Sequence, residues 1–213
     1  MILEIEINNQ EFVLHNSGAL YWKGQEMLLV SDVHLGKISH FRKHGSALPT
    51  QPIFKNFSKL DKLVDHFTPQ KICFLGDLFH SSMNREWLLF EQWRNRTALP
   101  IVLVAGNHDI VDRKKYEELH IPVVNEWLLD GFLLTHFPEE REGLYTISGH
   151  IHPSIVLAGE GRQFLKLPCF FQSPFQIILP AFGEFTGTFA MELRQGDTAY
   201  VLTKEEVIAI SKQ

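Results

Sequence analysis

Two histidines, His150 and His152, are separated by a single residue and flanked by Gly149 and Pro153. Side chains at i and i+2 do not share a helix face, and Pro153 disfavours a helix at this point. In an irregular loop the two imidazoles could converge, and binding of a metal ion is a common reason for such convergence. The pair alone could equally be structural, so a metal site requires further ligands elsewhere in the chain.

Four other polar clusters each follow an apolar run that is typical of a strand. They are SDVHLGK with Asp32 and His34, GDLFH with Asp77 and His80, GNHD with Asn107, His108 and Asp109, and THFP with His136. Taken singly, each cluster could be a turn, a helix cap or a strand-end histidine. Ligands bind beyond the carboxyl ends of strands in α/β sheets, so the ordered series favours one shared metal site.

The residue types suit a centre with two divalent ions. Carboxylate, amide and imidazole groups are offered without any cysteine, which favours manganese, with iron, zinc and magnesium as alternatives. Two neighbouring ions need a shared anionic ligand, and Asp77 is the best candidate. Gly76, Gly106 and Gly149 allow the backbone to turn sharply and to approach an ion closely.

The order and spelling of these motifs resemble the calcineurin-like metallophosphoesterase superfamily. The resemblance implies one ion bound by Asp32, His34, Asp77 and His152, and a second bound by Asp77, Asn107, His136 and His150. It further implies hydrolysis of phosphoesters by a hydroxide that bridges the two ions and attacks phosphorus.

His108 and Asp109 are the candidate catalytic residues. The resemblance implies that His108 faces the substrate phosphate, where it would stabilise the transition state or protonate the leaving oxygen. Many members of the superfamily carry an aspartate at the position of His80, and that aspartate orients the histidine. Here Asp109, a backbone carbonyl or His80 itself could orient His108.

A narrower resemblance rests on SDVHLGK, HFRKHG, LGDLFHS, GHIHP and LPAFGEFTG. These segments are similar to the ligase-associated DNA damage response phosphoesterases (PdeM type). That similarity implies a DNA-repair nuclease of the cytoplasm that associates with DNA ligase and helicase repair proteins. The segment LPAFGEFTG could be a structural corner or could line the cleft.

The basic turn after the first motif offers candidate contacts to the substrate phosphate. Lys37, His40 and Arg42 lie in this turn, and His80 adds a fourth candidate. The alternative interpretation of the turn is a solvated basic loop.

Other functions remain open. One is a phosphodiesterase or pyrophosphatase for a small nucleotide or a lipid-linked substrate, although no long amphipathic insertion between the motifs suggests a lid for lipid. Another is a catalytically weak scaffold in DNA repair. Such a scaffold is expected to have lost some metal-binding residues, whereas all seven ligand positions here carry a residue that can bind a metal.

The elements that position these residues predict an α/β fold. Strands alternate with helices at 52–67, 85–97 and 113–119 in the N-terminal half, whereas the C-terminal half is mostly strand, with a final helix at 204–211. We therefore expect one domain over 1–213, a four-layer α/β/β/α sandwich of two mixed sheets with helices outside.

Composition narrows the function classes. The 213 residues carry a formal net charge of −5, which excludes a polycation that binds nucleic acid by overall charge. No signal peptide or membrane span is expected from the sequence, and the partners are a phosphodiester substrate and proteins, not a membrane. Cys73 and Cys169 are expected to be buried free thiols, and Phe170, Phe171 and Phe175 are expected in the core.

Overall fold

The computed structural model describes residues 1–37, 51–80, 85–159, 161, 163–184 and 186–212, with the backbone alone at 51–53 and 85. Two β-sheets dominate this part of the chain. The predicted α/β class with two mixed sheets is confirmed.

The first sheet contains seven strands that neighbour one another in chain order. Their bounds are β1 Ile2–Ile7, β2 Gln10–His15, β3 Leu20–Trp22, β4 Met27–Val30, β5 Lys71–Leu75, β6 Ile101–Val104 and β7 Val123–Val124. Strands β1 to β4 are antiparallel, whereas β4 to β7 are parallel. Parallel neighbours need crossover connections, which here contain the helices.

Three helices cover one face of this sheet: α1 Gln51–Phe67, α2 Arg85–Arg96 and α3 Arg113–Glu118. Their bounds agree with the predicted helices to within a residue. Their buried side chains, such as Leu60, Trp93 and Tyr116, join Phe74 and Leu103 of the central strands in one apolar cluster. Within the described ranges, no helix combines the length and the apolar character needed to cross a lipid bilayer.

The second sheet contains nine strands, seven of them in the order β14-β11-β12-β13-β10-β9-β8, with β15 paired to β12 and β16 to β15. The bounds are β8 Glu126–Leu129, β9 Phe132–Thr135, β10 Tyr145–Ser148, β11 Pro153–Ala158, β12 Phe164–Ser173, β13 Gln176–Ile178, β14 Phe189–Ala190, β15 Thr198–Leu202 and β16 Val207–Ser211. Strand β10 pairs in parallel with both β9 and β13, so the carboxyl ends of these strands meet at one edge.

The main core lies between the two sheets. Met27 and Leu29 of β4 meet Phe132 and Leu134 of β9 and Phe170 of β12 in a second apolar cluster. The three α-helices pack on the outer face of the first sheet, and a 3-10 helix at Lys23–Gln25 connects β3 to β4. Within the described residues, strands and loops form the outer face of the second sheet. Both cysteines are buried and free, as expected.

Two sequence predictions are wrong. The segment 204–211 contains strand β16 instead of a helix, because Val207–Ser211 pairs with β15 after a turn in which the Thr203 hydroxyl accepts two backbone N–H bonds. Phe175 lies in the turn between β12 and β13 and is 58% exposed, whereas Phe170 and Phe171 are buried.

Candidate metal centre

The predicted ligands lie in loops at the carboxyl ends of five strands, β4, β5 and β6 of the first sheet and β9 and β10 of the second. Backbone hydrogen bonds hold these loops together. The amide of Asp32 donates to the carbonyl of Gly76 (3.1 Å), and the amide of Gly149 donates to the carbonyl of His136 (3.1 Å). The structure therefore brings together side chains that lie far apart in the sequence.

Asp32, His34 and His152 form the first cluster. His34 Nε2 lies 3.3 Å from His152 Nε2, and both nitrogens face Asp32 Oδ1, at 3.9 Å and 3.1 Å respectively. Asp32 is fully buried, and its Oδ1 has no hydrogen-bond partner with acceptable geometry. A buried carboxylate oxygen left in this way among imidazole nitrogens fits a bound cation.

Asp77, His136 and His150 form the second cluster. His136 Nε2 lies 3.1 Å from His150 Nδ1 and 3.5 Å from Asp77 Oδ1. The amide oxygen of Asn107 approaches the same His136 nitrogen at 3.2 Å. These four side chains therefore present imidazole, carboxylate and amide donors to one point.

Asp77 connects the two clusters. Its Oδ2 lies 3.9 Å from His34 Nε2 of the first cluster, and its Oδ1 lies 3.5 Å from His136 Nε2 of the second. Each carboxylate oxygen thus faces a different cluster, which is the arrangement that a ligand shared by two ions requires.

Backbone carbonyls orient two of the imidazoles. His152 Nδ1 lies 3.0 Å from the carbonyl of Gly187, and His136 Nδ1 lies 2.9 Å from that of Leu75. A carbonyl can only accept, so Nδ1 donates in both rings and Nε2 is the nitrogen that faces the cluster. Such contacts usually orient histidines that bind metals.

The electrostatics also suit a cation. Burial raises the pKa of Asp32, but the adjacent His152 and the Ser31 hydroxyl outweigh burial, so the net pKa lies below its usual value. Burial lowers the pKa of His34 to about 3. Asp32 is therefore an anion and His34 is neutral near pH 7, which are the states that bind a metal.

Five of the seven predicted ligands have a left-handed backbone: Asp32, His34, Asp77, His150 and His152, with φ between 49° and 70°. This conformation is uncommon for residues other than glycine and costs of order 1–3 kcal/mol each. Such strain concentrates at functional sites, because the surrounding structure must enforce it.

The LPAFGEFTG segment of the C-terminal half supports the first cluster. The amides of Phe182 and Gly183 donate to the carbonyls of Ser31 (2.9 Å) and Asp32 (3.1 Å). In the same LPAFGEFTG segment, Gly187 provides the carbonyl that orients His152. The sequence is compatible with a structural corner or a cleft wall here, and it does not predict these supporting contacts because backbone contacts leave no signal in residue type.

Ser31 is a second residue that sequence analysis missed. Its buried hydroxyl lies 2.6 Å from Asp32 Oδ2 and 2.8 Å from the carbonyl of Leu75. The amide of His150 also donates to Asp32 Oδ2, at 2.9 Å. One carboxylate oxygen of Asp32 is thereby held in place while the other faces the histidines.

The two candidate catalytic residues occupy different environments. His108 donates its backbone N–H to Asp77 Oδ1 (2.8 Å), and its ring stacks on that of His80 with centroids 5.0 Å apart. The carboxylate of Asp109 accepts the amides of Phe79 (3.2 Å) and Gly106 (2.9 Å), so it ties two of the loops together. Burial raises the pKa of Asp109 to about 6.

The predicted substrate contacts are only partly within the described residues. Lys37 is half-buried beside the first cluster, and burial lowers its pKa despite the attraction of Asp32 and Asp77. His80 lies beside both His34 and His108, with ring centroids 5.5 Å and 5.0 Å away. His40 and Arg42 lie outside the described residues.

The two-sheet fold and the paired clusters are those of a metal-dependent phosphoester hydrolase. The sequence model of the family described as calcineurin-like phosphoesterase matches residues 27–176, and the chain belongs to this family.

The comparisons with solved structures include a nuclease. The sequence of the Pseudomonas putida nuclease MPE, known from a crystal structure, is 32% identical to this chain. The two structures superpose with a TM-score of 0.85, and the match covers 99% of this chain and 100% of that one. A protein of unknown function from Aquifex aeolicus is 18% identical over 64% of this chain and 82% of its own, with a TM-score of 0.45. The phosphoesterase YfcE from E. coli is 16% identical over 87% and 98%, also with a TM-score of 0.45. Among curated proteins, none matches.

Proposed function

We propose that this phosphoester hydrolase is a phosphodiesterase that uses two divalent ions, with manganese preferred, and that its substrate is DNA. The observation that carries the two-ion proposal is the position of Asp77, whose two oxygens face different histidine clusters. The 32% identity to a nuclease over the whole chain supports a nucleic-acid substrate. The resemblance to ligase-associated phosphoesterases favours DNA and a role in repair.

In this proposal the donors divide between two ions. One ion is held by Asp32, His34, Asp77 and His152, and the other by Asp77, Asn107, His136 and His150. Bound ions supply a hydroxide nucleophile near neutral pH and neutralise charge on the phosphate.

His108 acts on the leaving oxygen of the ester. Its ring lies 5.5 Å from that of His34, and its stacking on His80 restricts its rotation. From there it donates a hydrogen bond or a proton to the departing oxygen. Asp109 keeps the loop of His108 in place through the two amides that it accepts.

A substrate panel tests the function. Manganese-loaded protein is assayed on single-stranded DNA, double-stranded DNA, RNA, cyclic nucleotides and an aryl diester, with a parallel assay in EDTA. We expect cleavage of DNA that EDTA abolishes. Hydrolysis of cyclic nucleotides alone would replace DNA with a small-nucleotide substrate, and full activity after exhaustive chelation would refute the metal mechanism.

Two variants test the assigned roles. His108→Ala is expected to keep both metals but to lose most turnover of the aryl diester, and unchanged turnover would remove His108 from the mechanism. Asp77→Asn is expected to lose metal and activity together, and two full equivalents of manganese by elemental analysis would refute the shared ligand. Asp65→Asn and His66→Ala, which change exposed residues of α1, are the matched controls.

A further inference from the structure

An exposed aromatic ring stands at the edge of the second cluster. Strand β9 is buried throughout and ends at Thr135, and His136 follows it into the cluster. Phe137 comes next and is 46% exposed. Its ring centroid lies 4.9 Å from that of His136 and 4.7 Å from that of His150. Phe137 thus contacts two predicted ligands and still remains about half exposed to solvent.

A second exposed apolar side chain lies in the loop that supplies Asn107. Ile110 is 66% exposed and lies just after the GNHD motif, where its amide donates to the carbonyl of His108 (2.8 Å). The contact between Asn107 and His136 joins this loop to the loop of Phe137. Exposed apolar side chains therefore follow two of the motifs that supply donors to the second cluster, whereas Lys37 lies beside the first cluster.

We propose that Phe137 is a stacking platform for a nucleobase of the substrate. This inference rests on the proposed phosphodiesterase function and names the group that the enzyme recognises beside the scissile phosphate. A phosphate ester held at the second cluster brings its attached group next to the Phe137 ring. A single flat ring with polar neighbours suits a planar base, because stacking needs only one exposed face and accepts any base.

A purely structural role for Phe137 makes a different prediction. If the ring served only to orient His136 and His150, its loss would lower metal binding and would affect all phosphate ligands alike. A stacking platform affects only ligands that carry a base. The comparison of ligands with and without a base therefore separates the two roles.

The test uses ligand binding, so it does not depend on turnover. Manganese-loaded wild-type protein and Phe137→Leu are titrated calorimetrically with thymidine 5′-monophosphate and with deoxyribose 5-phosphate, which lacks the base. Leucine keeps apolar bulk against the two histidines but lacks a π-face. We expect wild type to prefer the nucleotide by about 5- to 100-fold, and this preference to fall to within about twofold in Phe137→Leu.

Two further variants act as controls. Phe137→Trp is expected to retain the preference for the nucleotide. Phe164→Leu removes a more exposed ring (71%) on β12, where Phe164 pairs with Ala158 of β11. Ala158 lies about 20 Å along β11 from His152 at 3.3 Å per residue, so this variant is expected to match wild type.

Three outcomes would overturn the inference. They are no preference for the nucleotide in wild type, an undiminished preference in Phe137→Leu, or loss of manganese from Phe137→Leu. A failure of wild type to cleave any phosphodiester would refute the proposed function instead, and the binding titrations distinguish that failure from a failure of the platform.

Discussion

Gly149 allows two parts of the centre to approach closely, and replacing it with alanine should damage the centre. A Cβ at this position would lie 1.7 Å from Ser31 Oγ and 2.6 Å from Asp32 Oδ2. Heavy atoms in contact settle at about 3.5 Å, so one side must move by roughly 1–2 Å. Ser31 cannot rotate away without losing its contacts to Asp32 and to the carbonyl of Leu75.

The displacement reaches both predicted metal sites. Moving the backbone at Gly149 pulls on the amide of His150, which donates to Asp32 Oδ2 at 2.9 Å. Asp32 belongs to the first cluster and His150 to the second, so Gly149→Ala disturbs both. Overpacking of this kind destabilises a fold by about 1–3 kcal/mol. Loss of supporting contacts to a metal ligand typically lowers metal affinity by about 10- to 100-fold.

Gly187→Ala is the matched control. Gly187 also belongs to the centre, since its carbonyl orients His152, but a Cβ at Gly187 would meet no atom within 4 Å. Manganese affinity is measured by calorimetric titration and stability by urea unfolding of the chelated protein. The role assigned to the close approach of Gly149 to Ser31 would be refuted by either of two results. One is a manganese affinity of Gly149→Ala within about twofold of wild type, and the other is an equal loss of affinity and stability in Gly187→Ala.

Three further predictions follow from single contacts. Ser31→Ala removes the hydroxyl beside Asp32 Oδ2, and manganese affinity measured by titration should fall about tenfold; an unchanged affinity would contradict this. His15, whose pKa burial lowers to about 4, stabilises the fold above pH 6.5 and loses that contribution as pH falls toward 4. The stability of wild type relative to His15→Gln, from urea unfolding without metal, should thus drop by about 1–3 kcal/mol between pH 7 and 4; a constant difference would refute it. Burial raises the pKa of Cys73 and Cys169 to about 12, so a thiol reagent should label neither in the native protein and both in urea; rapid native labelling would disagree.

The positions of the predicted ligands could be predicted from the sequence because each ligand motif follows an apolar run that is typical of a buried strand. Parallel strands place their carboxyl ends at one edge, so the motifs after β4, β5 and β6 had to be neighbours. The supporting contacts could not be predicted in this way. The carbonyl of Gly187 reaches His152 from 35 positions further along the chain, and a backbone carbonyl is present at every residue.

Local ambiguity explains the two wrong predictions of structure. Val207, Ile208 and Ile210 fit both a helix and a strand, and pairing with β15 decides between them. Phe175 is apolar, but its place in a tight turn directs it toward solvent, and apolar residues are often exposed. In both cases the deciding contact involves residues that a local pattern does not include.

The predicted metal ligands are divided between the two sheets, and this division explains how their left-handed backbone conformations are maintained. Asp32, His34, Asp77 and Asn107 follow strands of the first sheet, whereas His136, His150 and His152 follow strands of the second. Each cluster draws on both sheets, so it assembles only when the core between the sheets has packed. Packing of that core over Phe132, Leu134 and their neighbours therefore holds five left-handed residues in place. A cation that binds each cluster stabilises the same packed state, because binding to the native form alone favours it.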